Sequence, residues 1–213
     1  MPRTRVQTES ALEYLPAKRD LKSLTEAARH CRGCDLYRNA TQTVFGLGPR
    51  TAAALFIGEQ PGDKEDQLGE PFVGPAGNLL NACMEEAGID RKAAYLTNAV
   101  KHFKWEPRGK LRIHKKPDSH EIFACRPWLD SEIAAIKPKL IVCMGATAAQ
   151  ALLGSKFRVT QQRGQVIEAP GLPPILATVH PSSILRAPDA EARRRERMLF
   201  VEDLKKVADF LAA

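Results

Sequence analysis

Four short apolar runs constrain this chain more than any other feature. Residues 52–58, 94–98, 140–144 and 175–179 are each of strand length, and Ala52 through Gly58 is apolar without a break. Such runs suit strands covered on both faces, where side chains need not alternate between polar and apolar. Segments of helical character lie around them. Residues 21–30 carry Leu21, Leu24 and Ala28 on one stripe, 76–87 is stopped by Gly88, and 146–153 follows the third run directly. A further helix opens at Asp118, with Glu121 placed for a capping box and Pro127 set to kink or interrupt the run to Ile136. The C-terminal helix aligns Phe200, Leu204, Val207 and Leu211. Short strands alternating with helices predict a parallel sheet of the α/β class. The 213 residues suit one domain, expected over 19–213 behind a polar, loose segment 1–18.

Ligands of open parallel sheets sit beyond the carboxyl ends of the strands. That rule selects the loops starting at Glu59, Asn98 and His180. Composition narrows the class further. A chain that is 44% hydrophobic and 27% charged is globular, and no stretch approaches the ~20 apolar residues of a membrane helix. The first residues lead into no apolar run, so no secretory signal is expected; the chain reads as a soluble, cytoplasmic protein without a membrane partner. The formal charge of +7 suggests a polyanionic partner. Nearly all of it lies in residues 101–116, where Lys101, Lys104, Arg108, Lys110, Arg112, Lys115 and Lys116 face only Glu106. A second cluster, Arg193 to Arg195 with Arg197, is diluted by Glu191 and Glu196 and reads as a solvated helix face.

The strand-end loops carry the candidate chemistry. Gly58-Glu59-Gln60-Pro61-Gly62-Asp63 follows a strand as a phosphate loop would, but lacks the lysine and hydroxyl of that motif, and its acids would repel phosphate. Glu59 suits general-base or electrostatic work, with a structural turn as the plainer reading. In the basic loop, His114 is either a surface histidine or an imidazole brought to a phosphate backbone by its cationic neighbours. Those neighbours would keep it neutral and therefore nucleophilic. His180-Pro181-Ser182-Ser183 could stabilise a developing oxyanion and hold phosphates, whereas a serine hydrolase would need an absent G-x-S-x-G elbow.

Five cysteines in an intracellular chain are not expected to form structural disulfides. Cys83 and Cys143 fall in a helix and a strand, and read as small buried apolar groups. Cys31 and Cys34, two residues apart, with His102 and Cys125 downstream, leave zinc, an iron–sulfur cluster, redox chemistry or plain thiols open. Zinc is the commoner outcome of such a pattern.

Taken together, five ordered motifs resemble the uracil-DNA glycosylase superfamily. They are Gly58-Glu59-Gln60-Pro61-Gly62, Pro71-Phe72-Val73-Gly74, Leu96-Thr97-Asn98-Ala99-Val100-Lys101, Arg112-Ile113-His114 and His180-Pro181-Ser182. The likeness covers roughly residues 25 to 210 and is nearest to family 4, the iron–sulfur glycosylases. Within that family it points to the UDGX group, which becomes covalently linked to uracil-containing DNA. His102 stands where ordinary members have a third cluster cysteine, and Leu111 stands where the group's Lys-Arg-Arg-Ile-His loop has an arginine.

The resemblance implies a three-layer α/β/α sandwich around a four-stranded parallel sheet. It also implies a [4Fe-4S] cluster on Cys31, Cys34, His102 and Cys125, in place of zinc. Phe72 and Asn98 would bind the uracil, with the amide of Gln60 and His180 taking the charge that grows on it. Glu59 and His114 would serve the sugar, the flexible loop swinging His114 to it. Lys110, Arg112, Lys115, Ser182, Ser183 and Arg186 would meet the DNA backbone. The implied partner is uracil-containing DNA, single-stranded by preference, bound by a monomer that joins the nucleoid of a bacterial-type cytoplasm. A turning-over family 4 glycosylase and a non-catalytic nucleic-acid-binding module are the alternatives.

Overall fold

The computed structural model of the chain describes residues 10–213. Residues 1–9 of the expected loose segment lie outside the described residues. Within the same expected segment, a 3₁₀ turn at Ala11–Tyr14 is packed through buried Ala11.

Four parallel strands form the centre, in the spatial order β2, β1, β5, β7: β1 (Ala54–Gly58), β2 (Tyr95–Asn98), β5 (Leu140–Met144) and β7 (Ile175–Thr178). All four are buried along their whole length, as their apolar runs require. A fifth strand, β6 (Val166–Ile167), pairs antiparallel with β7 at the edge, so the sheet has one strand more than expected. Two residues are too few to leave a periodic signal.

Side chains leave the sheet alternately to two helical layers. Phe56, Leu96, Val142 and Leu176 pack beneath α3 (Pro75–Glu86) and α8 (Ala190–Ala212), where Leu80, Met84, Phe200, Leu204 and Val207 complete the core. Leu55, Ile57, Tyr95, Ile141 and Ile175 pack against α4 (Ser119–Ile136) and α5 (Ala146–Leu153) through Leu129, Ile133 and Ala148. The three-layer sandwich is therefore present. α4 opens with the expected capping box of Asp118 and Glu121 and runs through Pro127 unbroken. A third, smaller core joins α1 (Leu21–Ala28) to α4 around Leu24, Trp128 and the thiols of Cys31, Cys34 and Cys125.

Two segments read as loops have structure. Residues 59–75 contain α2 (Asp63–Leu68), capped by Gly69 at φ 77°. The basic segment is a hairpin of β3 (Trp105–Arg108) and β4 (Leu111–His114), turned at Gly109 with φ 60°. Its register places Trp105 opposite His114, and the ladder continues where Lys115 N–H donates to Lys104 C=O at 2.9 Å. The short helices α6 (Val159–Gln162) and α7 (Pro181–Leu185) flank β6 and follow β7.

Candidate active site

The carboxyl ends of β1, β2, β5 and β7 open onto a cleft of about 1090 Å³. Glu59, Gln60, Phe72, Asn98, His114, His180, Ser182, Ser183 and Arg186 all line it. The strand-end rule thus brings together residues up to 127 positions apart, the separation of Glu59 and Arg186.

The floor is constrained. Asn98 ends β2 and Phe72 lies beneath the cleft, both nearly fully buried. Phe72 has φ 60°, a strained conformation for a non-glycine residue, and its ring stacks on His180 with centroids 6.3 Å apart and planes at 30°. The Gly58 position must stay bare, because a Cβ there would collide with the Asn98 side-chain oxygen and come within 2.8 Å of the Phe72 ring. A Gly58→Ala variant is therefore expected to fold, with a stability loss of ~1–3 kcal/mol, yet to lose on the order of 10²-fold in the rate of any reaction on a ligand held by Asn98. Thermal melting beside a single-turnover assay checks both parts.

His180 caps α7 with its own ring. The Ser182 N–H donates to His180 Nδ1 at 3.2 Å, and Ser182 Oγ lies 2.8 Å from the same nitrogen. Nδ1 is thus an acceptor and the neutral ring carries its proton on Nε2. Burial, then the nearby charges of Arg186 and His114, holds the pKa down to about 4. The result is a neutral imidazole with one N–H to donate.

His114 enters from the hairpin. Its Nε2 stands 3.6 Å from Glu59 Oε1, and its ring is tilted on Phe103 at 6.0 Å. Burial pushes its pKa below the ordinary histidine value, Glu59 pushes back up, and Arg186 pushes down. The hairpin that carries it is held at several points. Arg112 donates from Nε to Asp63 at 2.5 Å, from Nη1 to Asp66 at 2.6 Å and to Thr41 at 3.1 Å, and lies over the rings of Phe103 and Trp105. The Gln60 side chain braces the hairpin base, donating to the carbonyls of Lys104 and Lys115 and accepting from Lys104 N–H. The Arg112 side chain, expected at the DNA backbone, and the Gln60 side chain both hold the segment that presents His114.

The other cations are also partly spent. Lys104 pairs with Asp118 and Glu121, and Lys115 with Glu106. Lys101 is not on the surface at all. Its ammonium, at 0% exposure, donates to Glu132, Thr97 Oγ1 and the Asn98 carbonyl at 2.6–2.7 Å. Among the described residues Arg108, Lys110 and Lys116 form no ion pair, so the cationic face is smaller than the sequence count of seven. The Arg193 cluster is a helix face in which Arg197 pairs with Glu86.

Cys31, Cys34, His102 and Cys125 lie outside the cleft, all buried. The Trp128 indole N–H donates to Cys31 Sγ and the Lys101 backbone N–H to Cys125 Sγ, each at 3.2 Å. His102 Nε2 is 2.9 Å from Thr43 Oγ1, whose own proton goes to the Ala28 carbonyl. The ring therefore donates from Nε2 and keeps its lone pair on Nδ1. Burial lowers its pKa to about 4, so it is neutral. No three His, Cys, Asp or Glu side chains among the described residues converge on one ion. Three gathered thiols, N–H donors to two sulfurs and a neutral imidazole beside them fit a cubane, which takes one ligand per iron. Cys83 and Cys143 are buried in the two main cores as expected.

Some residues of the site had no sequence signal. Thr147, at the start of α5, donates to Glu59 Oε2. Asp66, fully buried, accepts twice from Thr41 N–H besides holding Arg112. Glu65 accepts from Gly74 N–H at 3.0 Å and ties α2 to the start of α3. The spacing of Asp63 and Asp66 on one face of α2 was the available clue, hidden by reading that stretch as a loop.

Residues 45–205 match the family model of the Uracil DNA glycosylase superfamily. A type-4 uracil-DNA glycosylase of Thermotoga maritima is 35% identical over 192 residues, 90% of this chain and 94% of that protein. One of Archaeoglobus fulgidus is 33% identical over 199 residues, 89% and 94% of the two chains. A type-5 uracil-DNA glycosylase of Pyrobaculum aerophilum is 27% identical over 151 residues, 68% and 63%. With a family match across most of its length and relatives above 30% identity along nearly all of it, the chain belongs to the uracil-DNA glycosylase superfamily.

Proposed function

We propose that this protein excises uracil from DNA as a monomer, prefers single strands, and keeps the resulting sugar bound covalently to His114. The observation that carries the reading is the placement of the His114 imidazole 3.6 Å from the Glu59 carboxylate, on the rim of a cleft floored by Phe72 and Asn98. Uracil inside a duplex is out of reach, so the base enters flipped or already unpaired. Phe72 stacks on its face. The Asn98 amide offers both a donor and an acceptor to uracil O4 and N3–H, a pattern that cytosine reverses.

The bond between C1′ and N1 breaks with its electron pair passing to uracil. The growing charge on O2 is met by the Nε2–H of neutral His180 and by the backbone N–H of Gln60. C1′ becomes cationic opposite the Glu59 carboxylate. The lone pair of neutral His114 then attacks C1′ in the place of water, and the ring gives up its N–H proton, for which Glu59 is the nearest base. Lys110, Lys116, Arg186 and the serines of α7 hold backbone phosphates. Arg112 and the Gln60 side chain act one step back, by holding the hairpin. Cys31, Cys34, Cys125 and His102 would hold a [4Fe-4S] cluster whose part is structural, joining the N-terminal segment to the start of the hairpin region.

The test is denaturing electrophoresis after mixing the protein with uracil-containing single-stranded DNA. A retarded, stoichiometric band with uracil and none with thymine is expected. Identity to type-4 enzymes favours a second reading, in which water attacks and turnover continues; multiple rounds of uracil release without a retained band would select it. The pH profile is a further check. His114 must be neutral to attack, and its pKa lies below the ordinary 6.5, so the attachment rate is expected to be flat above neutral pH. It should fall about tenfold per unit once the pH drops below that pKa.

A further inference from the structure

Thr147 belongs to no motif of the sequence reading, yet its side chain meets the carboxylate at the centre of the site. Its position follows from the sheet. β1 and β5 are parallel neighbours with Ile57 opposite Cys143, so the chain leaving β1 at Glu59 and the chain entering α5 emerge at the same end. Gly145, at φ 92°, makes the tight passage from β5 into α5 and approaches His180 closely enough that a Cβ would lie 3.1 Å from the His180 Cβ. Thr147 follows two residues on, nearly fully buried, and its hydroxyl donates to Glu59 Oε2. Glu59 is then divided: Oε2 is held by Thr147, and Oε1 is left facing His114 Nε2 at 3.6 Å. No other hydrogen-bond donor meets the Glu59 carboxylate among the described residues.

We propose that Thr147 is a positioning residue that fixes the rotamer of Glu59, so that one carboxylate oxygen is always turned to the sugar and to His114. The proposal rests on the reading of Glu59 given above. A carboxylate on a loop, 23% exposed, can otherwise rotate toward solvent or toward the cations of the cleft rim, Arg186 and Lys116. The threonine hydroxyl removes that freedom without adding charge. A hydroxyl held in this way matters in proportion to how closely the reaction depends on where the carboxylate stands.

The test is a double-mutant cycle read by single-turnover uracil excision from a single-stranded oligonucleotide, with protein in excess. Thr147→Val keeps the shape and removes the donor. It is expected to lower the first-order excision rate about tenfold, the size of effect of one hydrogen bond to a charged group. The DNA concentration giving half the maximal rate should stay within twofold. Thr147→Ala should show the same loss, and Thr147→Ser should keep most of the rate because it keeps the hydroxyl. In a Glu59→Gln background, Thr147→Val should change the rate less than twofold, since the group it positions is already gone.

A purely structural role gives a different pattern: lower melting temperatures and an equal rate loss in both backgrounds. That pattern, or an unchanged rate in the wild-type background, would overturn the proposal while leaving uracil excision intact. Wild-type protein that fails to release or capture uracil under these conditions would overturn the functional reading, and the proposal with it.

Discussion

A His114→Ser variant mixed with uracil-containing single-stranded DNA is expected to run as free protein on a denaturing gel, with the retarded band of the wild type lost entirely. The argument is geometric before it is chemical. β4 ends at His114, and the ladder with β3 sets it opposite Trp105. Arg112, two residues before it, is clamped by Asp63 and Asp66, so the imidazole reaches the cleft without a large movement of the hairpin. Serine at this position keeps the backbone and the Arg112 clamp but offers a hydroxyl of very low acidity and shorter reach. The cation at C1′ would then be taken by water, so the variant should release uracil over repeated turnovers, leaving an abasic site. The substitution lies at a half-exposed hairpin position, so the expected change in melting temperature is within about 2 °C. A retained covalent band in His114→Ser would remove His114 as the attachment point. The active-site geometry would then have to supply another nucleophile.

How much of this could be read without coordinates depends on whether the relevant contact is local. The four central strands and most helices were legible because each is a run with its own period, and the capping box of α4 is complete within four residues, Asp118 to Glu121. The cleft was legible for a different reason: strand ends in a parallel sheet are a topological address, and Glu59, Asn98 and His180 occupy three of them. The failures share one cause. Arg112 finds Asp63 across 49 residues, Thr147 finds Glu59 across 88, and Glu132 finds Lys101 across 31, and nothing in either segment announces the partner. Summing charge over 101–116 counted as one cationic face a group of residues that the fold divides among a buried pair, a hairpin clamp, a helix cap and the solvent. The hairpin itself escaped because its strands are only four residues long: Trp105–Arg108 carries a proline, and the alternation of Leu111–His114 is too short to stand out.

Lys101 shows how large such a hidden term can be. Replacing Glu132 with alanine is expected to destabilise the protein by ~3–5 kcal/mol, because it leaves a buried ammonium without its counter-charge. For a chain of this size that is a fall in melting temperature on the order of 10 °C, measurable by circular dichroism. The network leaves little room for rescue. All three ammonium protons are used, on Glu132, Thr97 Oγ1 and the Asn98 carbonyl, and Glu132 Oε1 also receives Gly46 N–H, the Tyr95 hydroxyl and the Thr97 hydroxyl. Water cannot replace the carboxylate at a site where both partners are at 0% exposure. Lys101→Met combined with Glu132→Leu removes both charges, so the pair should lose less stability than the sum of the single changes. It should still fall short of the wild type, since Tyr95, Thr97 and Gly46 keep polar groups that no longer have a partner. The same network bears on function, because the ammonium holds the backbone carbonyl of Asn98 while the Lys101 N–H holds the sulfur of Cys125. Loss of the pair is therefore expected to loosen the Asn98 end of β2 together with the thiol core, so that excision and thiol burial decline in step. A single Glu132→Ala change that moves the melting temperature by less than about 2 °C would show that the buried pair is not the strut this arrangement makes it.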